Sequence, residues 1–135
     1  MEITPKKNII IIDPYLLIPS KNQDYSGRFK NCQTTKFLVC DHLDQRDFTT
    51  KEFNCITSII ESDEIEMVPI DAVFISELFY LRTTLTPYQI SILAAAQYYD
   101  CLFASDCCIF QKQACLVLGE DRVLKGSFVR SALLN

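Results

Sequence analysis

Apolar residues recur along the chain in two different periods. The stretch Asn8-Ile9-Ile10-Ile11-Ile12-Asp13 holds four consecutive isoleucines. Their β-branched side chains favour a strand, and a run apolar on both faces reads as a strand covered on both sides. Asp13 and Pro14 end it, because proline lacks a ladder donor and restricts the residue before it. Lys36–Cys40 reads as a second short buried strand, Ile65–Ile70 as an alternating one, Cys101–Ser105 as a fourth and Arg122–Lys125 as a last. Helical spacing fills the intervals. Thr49 and Glu52 form a capping box ahead of Phe53, Ile56, Ile59 and Ile60, and that helix ends near Ser62. Asp71–Arg82 places Val73, Phe74, Leu78 and Leu81 inward. Thr86 caps a further helix, with Pro87 at its first position and Gln89 closing the box, and Ile90–Tyr99 continues it. Ser105 or Asp106 caps Cys107–Leu118, which stops at Gly119.

The remaining segments are weaker. Pro14–Ile18 is a short apolar turn or helix, and Ser20–Thr35 is a polar loop or poorly formed helix. Asp41–Asp47 is an acidic turn. Gly126 turns the chain, and Ser127–Asn135 is a tail or short helix. Strands alternating with helices predict an α/β fold, a three-layer sandwich with a central mostly parallel sheet of the Rossmann-like kind and right-handed crossovers. A chain of 135 residues, 49% hydrophobic and 22% charged, makes one domain over 1–135. No apolar run reaches the roughly 18 residues of a membrane span. The amino-terminal flank is a poor signal peptide, so no membrane contact and a cytoplasmic location are expected.

Charge and cysteine usage narrow the chemistry. The formal net charge is −4, which argues against a generally basic nucleic-acid binder. Residues 1–36 nevertheless hold six basic residues (Lys6, Lys7, Lys21, Arg28, Lys30, Lys36) against three acids, and nine acids lie between Asp41 and Asp71. Lys21, Arg28 and Lys30 are the candidate contacts for an RNA phosphate chain; a solvated surface is the plainer account of the same residues. The seven cysteines are odd in number and form no CxxC pair, so reduced and mostly buried thiols are expected, with Cys107-Cys108 the exposed pair. His42 is the single histidine, which leaves little material for a zinc site or a Ser-His-Asp arrangement. With glycine only at 27, 119 and 126, no phosphate loop is present. Tyr80, Tyr98 and Tyr99 sit on apolar helices and are expected in the core, with an interface as the other reading.

What remains is carboxylates at strand ends: Asp13, Asp41 or Asp44, and Asp106. Open α/β sheets place ligands at that edge, and acids converging from separate strands suit Mg²⁺ or Mn²⁺. Asp13 and Asp106 also have a simpler reading, as caps of the turn and helix that follow them.

The run Leu85-Thr86-Pro87-Tyr88-Gln89-Ile90-Ser91-Ile92-Leu93-Ala94-Ala95-Ala96, then Leu102-Phe103-Ala104-Ser105-Asp106, then Ala114, Gly119 and Val123–Gly126, resembles the second half of a PIN domain. Asn8–Leu17 resembles its opening strand, and Phe37–Gln45 the segment bringing its second acid. The resemblance implies a metal-dependent ribonuclease, often the toxin of a toxin–antitoxin pair, with about four acids around Mg²⁺ or Mn²⁺. It implies RNA as substrate, an antitoxin-like partner protein and a homodimer. It assigns Asp13, Asp44 and Asp106 as catalytic, with Asp13 and Asp106 on the metal. The match is incomplete. The third acid position falls on Gln89, an amide, and the fourth on Asp106 or Cys107 according to register. Two readings therefore stand: a ribonuclease with an altered acidic site, and a non-catalytic module that binds RNA or a partner protein. A phosphoacceptor receiver domain is a third α/β alternative, in which Lys125 would end the last strand.

Overall fold

The computed structural model of the chain describes residues 9–18, 27–41, 45–69 and 85–134. Its centre is the isoleucine run. β1 (Ile9–Ile12) pairs in parallel with β2 (Lys36–Cys40) on one side and β4 (Leu102–Ser105) on the other. β3 (Glu66–Val68) extends the sheet beyond β2, and β5 (Val123–Lys125) extends it beyond β4. The order is β3-β2-β1-β4-β5, with these five strands all parallel. Both faces of such a sheet must be covered, and the strand residues divide accordingly. Ile11, Leu38, Cys40, Val68 and Phe103 face one core; Ile10, Ile12, Phe37, Val39 and Ala104 face the other.

Helices supply the two outer layers. Thr49 and Glu52 make the capping box of α2 (Thr50–Ser62), after the four-residue α1 (Arg28–Asn31). Phe29 of α1 and Ile56, Ile59 and Ile60 of α2 pack with Val129 and Leu133 of α5 (Gly126–Leu134) on the Ile10/Ile12 face. Residues of α3 (Pro87–Tyr98) and α4 (Cys108–Leu118) cover the Ile11 face. α3 starts in the predicted capping box of Thr86 and Gln89, and eight of its twelve residues are buried. Its buried Ser91 hydroxyl is satisfied by donating to Pro87 O at 3.0 Å. The arrangement is a three-layer α/β sandwich, as the alternation of strands and helices predicts. No helix among the described residues is long and apolar enough to cross a membrane.

Several elements differ from the sequence reading. The chain after β5 takes the helical of the two expected forms, and the helix begins at Gly126 itself with no separate turn. The Ser20–Thr35 segment contains α1, whose start is held by a residue 36 positions away. Buried Asp63 accepts from Gly27 N at 2.8 Å and from Phe29 N at 3.2 Å. Tyr98 is not a core residue: its side chain is 56% exposed. Tyr99 is half-buried and donates to Pro69 O at 3.0 Å. Tyr80 and the expected helix Asp71–Arg82 lie outside the described residues. All seven cysteines are free thiols; Cys40 and Cys101 are buried, Cys107 and Cys108 exposed, and Cys32, Cys55 and Cys115 intermediate. Burial pushes the Cys101 thiol up to about 11.

Ile11 is fully buried in the middle strand. Ile11→Ala removes its branched side chain where the neighbours on both sides are strand-paired and cannot close in. We expect a loss of about 2–5 kcal/mol, read as a lower urea midpoint with an unchanged slope. An unchanged midpoint would mean that β1 is not the enclosed strand.

Candidate functional site

β1 has no polar side chain, so its first charge appears where it leaves the sheet. The strand order reverses between β1 and β4, and the crevice beyond the carboxyl ends of two such strands is the usual ligand edge of an open α/β sheet. Asp13 stands at the end of β1 and Asp106 at the end of β4. The Asp13 amide extends the ladder by donating to Ala104 O at 2.9 Å. Its carboxylate caps the 3-10 turn Pro14–Leu17, accepting from Tyr15 N at 3.2 Å through Oδ1. Oδ2 accepts from Ser105 Oγ at 2.7 Å. The Ser105 oxygen in turn accepts from Cys107 N at 3.0 Å. Capping and site chemistry are thus the same arrangement here. Asp13 is only 5% exposed. Burial pushes its carboxyl above the ordinary value of 3.8; the bonds from Ser105 and Tyr15 N oppose this, and the nearby Asp106 charge adds to it.

Asp106 behaves differently. The sequence leaves Ser105 or Asp106 as the cap of the following helix. In the structure Cys107 is the cap residue, the Ser105 hydroxyl takes its N–H, and Asp106 turns toward α5. Its Oδ1 accepts from Gly126 N at 3.1 Å, and its Oδ2 from Arg130 Nη1 at 2.8 Å. Arg130 Nη2 reaches Oδ1 at 3.4 Å. Gly126 is required for this approach, because a Cβ there would collide with the Asp106 carboxylate.

Gln89 occupies the third acid position of the resemblance. Its Oε1 accepts from Thr86 N at 3.0 Å, while Thr86 Oγ1 accepts from Gln89 N at 3.2 Å. A pocket of about 100 Å³ at this edge is lined by eight residues, among them Asp13, Tyr15, Asp47, Thr86, Tyr88 and Gln89. Asp44 and His42 lie outside the described residues. A divalent metal wants several oxygen ligands free to turn toward it. Here the Asp106 carboxylate is held by an arginine and an amide, both Asp13 oxygens are bonded in a buried site, and the one ligating atom of Gln89 is used in its cap. No group of three or more His, Cys, Asp or Glu side chains suited to a metal occurs among the described residues. Among the described residues, Asp13, Asp106 and Gln89 do not offer Mg²⁺ or Mn²⁺ a set of free oxygen ligands.

The structure does not bring Arg28 or Lys30 to this edge. Lys30 lies beside Ile9, Lys36 and Glu66, at the amino ends of the strands, and pairs with Glu64 at 3.5 Å. Arg28 starts the same short helix, and Lys21 lies outside the described residues. Other cations stand at the carboxyl edge. Lys125 ends β5, exposed Lys51 lies in the first turn of α2, and exposed Arg46 lies in the 3-10 turn Gln45–Asp47 after β2. Tyr15, 46% exposed, adds an aromatic ring that packs on Phe48 with centroids 4.7 Å apart. Sequence reasoning placed Lys125 at the end of the last strand but missed Arg46, Lys51 and Tyr15, because it grouped charges by position along the chain. The available signal was that each lies at or after the carboxyl end of a strand. No family model matches the chain, and neither a curated protein nor a solved structure matches it.

The raised Asp13 pKa carries a sign. A carboxyl that is easier to protonate in the folded state lends stability below its unfolded value near 3.8, and this is lost as pH rises through the folded value. We expect Asp13→Asn, which cannot ionise, to gain relative to wild type as pH is raised from about 4 to 7. Urea midpoints of the two proteins across that range measure it. A constant difference would mean that Asp13 ionises with ordinary ease.

Proposed function

We propose that the chain is a PIN-like domain that binds single-stranded RNA along the carboxyl edge of its sheet without metal-dependent cleavage. The observation that carries this reading is the state of the acids. Asp13 and Asp106 occupy the two strand ends expected of a nuclease site, yet protein donors already satisfy both, and an amide stands at the third position. The carboxyl edge keeps what a single strand needs, an exposed aromatic ring at Tyr15 and cations at Arg46, Lys51 and Lys125. With a net charge of −4, contact is confined to this edge. A cytoplasmic setting belongs to this reading, since the thiols are all free.

A second reading has its own observation. Ile109 and Leu116, 60% and 79% exposed, stand seven residues apart on one side of α4, as on a helix that docks a partner protein.

Fluorescence anisotropy with a labelled single-stranded RNA tests the first reading. Affinity should fall with salt, by a log–log slope of about −0.7 for each phosphate held. The pair Lys51→Glu and Lys125→Glu should weaken binding and make that slope shallower by about 0.7 for each phosphate no longer held, while Arg28→Glu with Lys30→Glu should change little. Millimolar Mn²⁺ should neither raise the melting temperature nor produce cleavage. Cleavage in Mn²⁺ that Asp13→Asn abolishes would overturn the proposal in favour of a ribonuclease. An absence of RNA binding would also overturn it and leave protein docking.

A further inference from the structure

We infer that the pocket at the start of α2 takes one nucleotide, its phosphate beside Arg46 and its base on Phe53, an inference that rests on the RNA reading above and names where the strand is held. The observation behind it is the placement of Phe53. Helical spacing predicts this ring on the buried side of α2, with Ile56, Ile59 and Ile60. Those three are buried. Phe53 is only half-buried and packs in neither hydrophobic core of the described residues.

Its company distinguishes it from an ordinary exposed ring. Arg46, Thr50, Phe53 and Asn54 line a pocket of about 270 Å³. Thr50, Phe53 and Asn54 fall at i, i+3 and i+4, on one side of the opening turns of α2. Arg46 reaches the same pocket from the 3-10 turn Gln45–Asp47. Two kinds of contact are therefore side by side. A guanidinium is planar and permanently charged, and it forks onto phosphate oxygens. The exposed Thr50 hydroxyl adds a donor for the same oxygens. The Phe53 ring offers its face to a base. The Asn54 side-chain amide carries both donors and an acceptor, so it meets any base edge without selecting one.

The neighbouring charges favour an anion here. Glu52, the acid of this turn, is engaged in the capping box, where its Oε1 accepts from Thr49 N at 2.9 Å. Asp47, next to Arg46, lines the pocket beside Asp13 instead. Lys51 is exposed and follows Thr50, adding a second positive charge at the start of the helix.

Such a nucleotide is a unit of an RNA strand or a free mononucleotide. Fluorescence anisotropy of labelled oligo(A) and calorimetric titration with adenosine monophosphate separate these sources. We expect the oligomer to bind and the monophosphate alone not to. Phe53→Ala should weaken the oligomer about tenfold with its salt dependence unchanged, and Phe53→Tyr should restore it. Both variants should keep the wild-type melting temperature, because the ring is in neither core. An abasic phosphodiester strand of the same length should bind wild type and Phe53→Ala equally. Arg46→Gln should weaken both strands and make the log–log salt slope shallower by about 0.7. Asn54→Glu, at an exposed position, should weaken the oligomer without lowering the melting temperature.

Equal oligomer binding by wild type, Phe53→Ala and Asn54→Glu, with Lys51→Glu and Lys125→Glu still weakening it, would overturn the nucleotide pocket and leave the RNA reading in place. Monophosphate binding that Phe53→Ala abolishes, with no binding of the oligomer, would overturn the RNA reading and keep the pocket. No binding of either probe would remove both.

Discussion

Covering β1 on both faces is the constraint from which the rest follows. A strand enclosed between two helical layers tolerates no charge along its length, so Ile9–Ile12 is wholly apolar and the first carboxylate appears only where the strand leaves the sheet. That exit is still buried, and a buried carboxylate needs donors. Asp13 finds them in Ser105 and the Tyr15 amide. Because Ser105 ends β4 and also holds Cys107 N, a single carboxylate links the ends of the two central strands, the 3-10 turn after β1 and the start of α4. Any ligand at this edge meets a preorganised surface.

The two strand-end acids show how placement decides what a residue type does. Asp13 is desolvated and bonded to a hydroxyl and an amide, and the desolvation pushes its pKa up. Asp106, one strand away, is exposed and turned to Arg130 and the start of α5. Two carboxylates that share an edge but answer to different partners do not converge on a common ion.

Much of this is legible along the chain, and particular residues show why. The isoleucine run, the capping boxes of Thr49–Glu52 and Thr86–Gln89, and the stop at Gly119 are local signals; the elements they mark begin or end within a residue or two of them. The same locality puts Asp13 at the strand edge. Nothing local ties Arg130 to Asp106, or Asp63 to Gly27, because these partners are 24 and 36 residues apart and no period connects them. Arg28 and Lys30 read, from the basic stretch they share, as candidate contacts for a phosphate chain. They instead precede the start of β2, at the opposite end of the parallel sheet. Tyr98 lies on an apolar helix, yet its own side points outward.

The sequence by itself determined the class of fold and the position of the first acid. Secondary structure and burial follow from spacing a few residues long, and a strand apolar on both faces has only a buried parallel place to go. The tertiary structure alone decided which charges meet. Electrostatics and hydrogen bonding act through space over a few ångströms, so the pairing of Asp106 with Arg130, the bond between Ser105 and Asp13, and the meeting of Tyr15, Phe48, Thr86 and Gln89 around one pocket exist only once the strands are ordered β3-β2-β1-β4-β5.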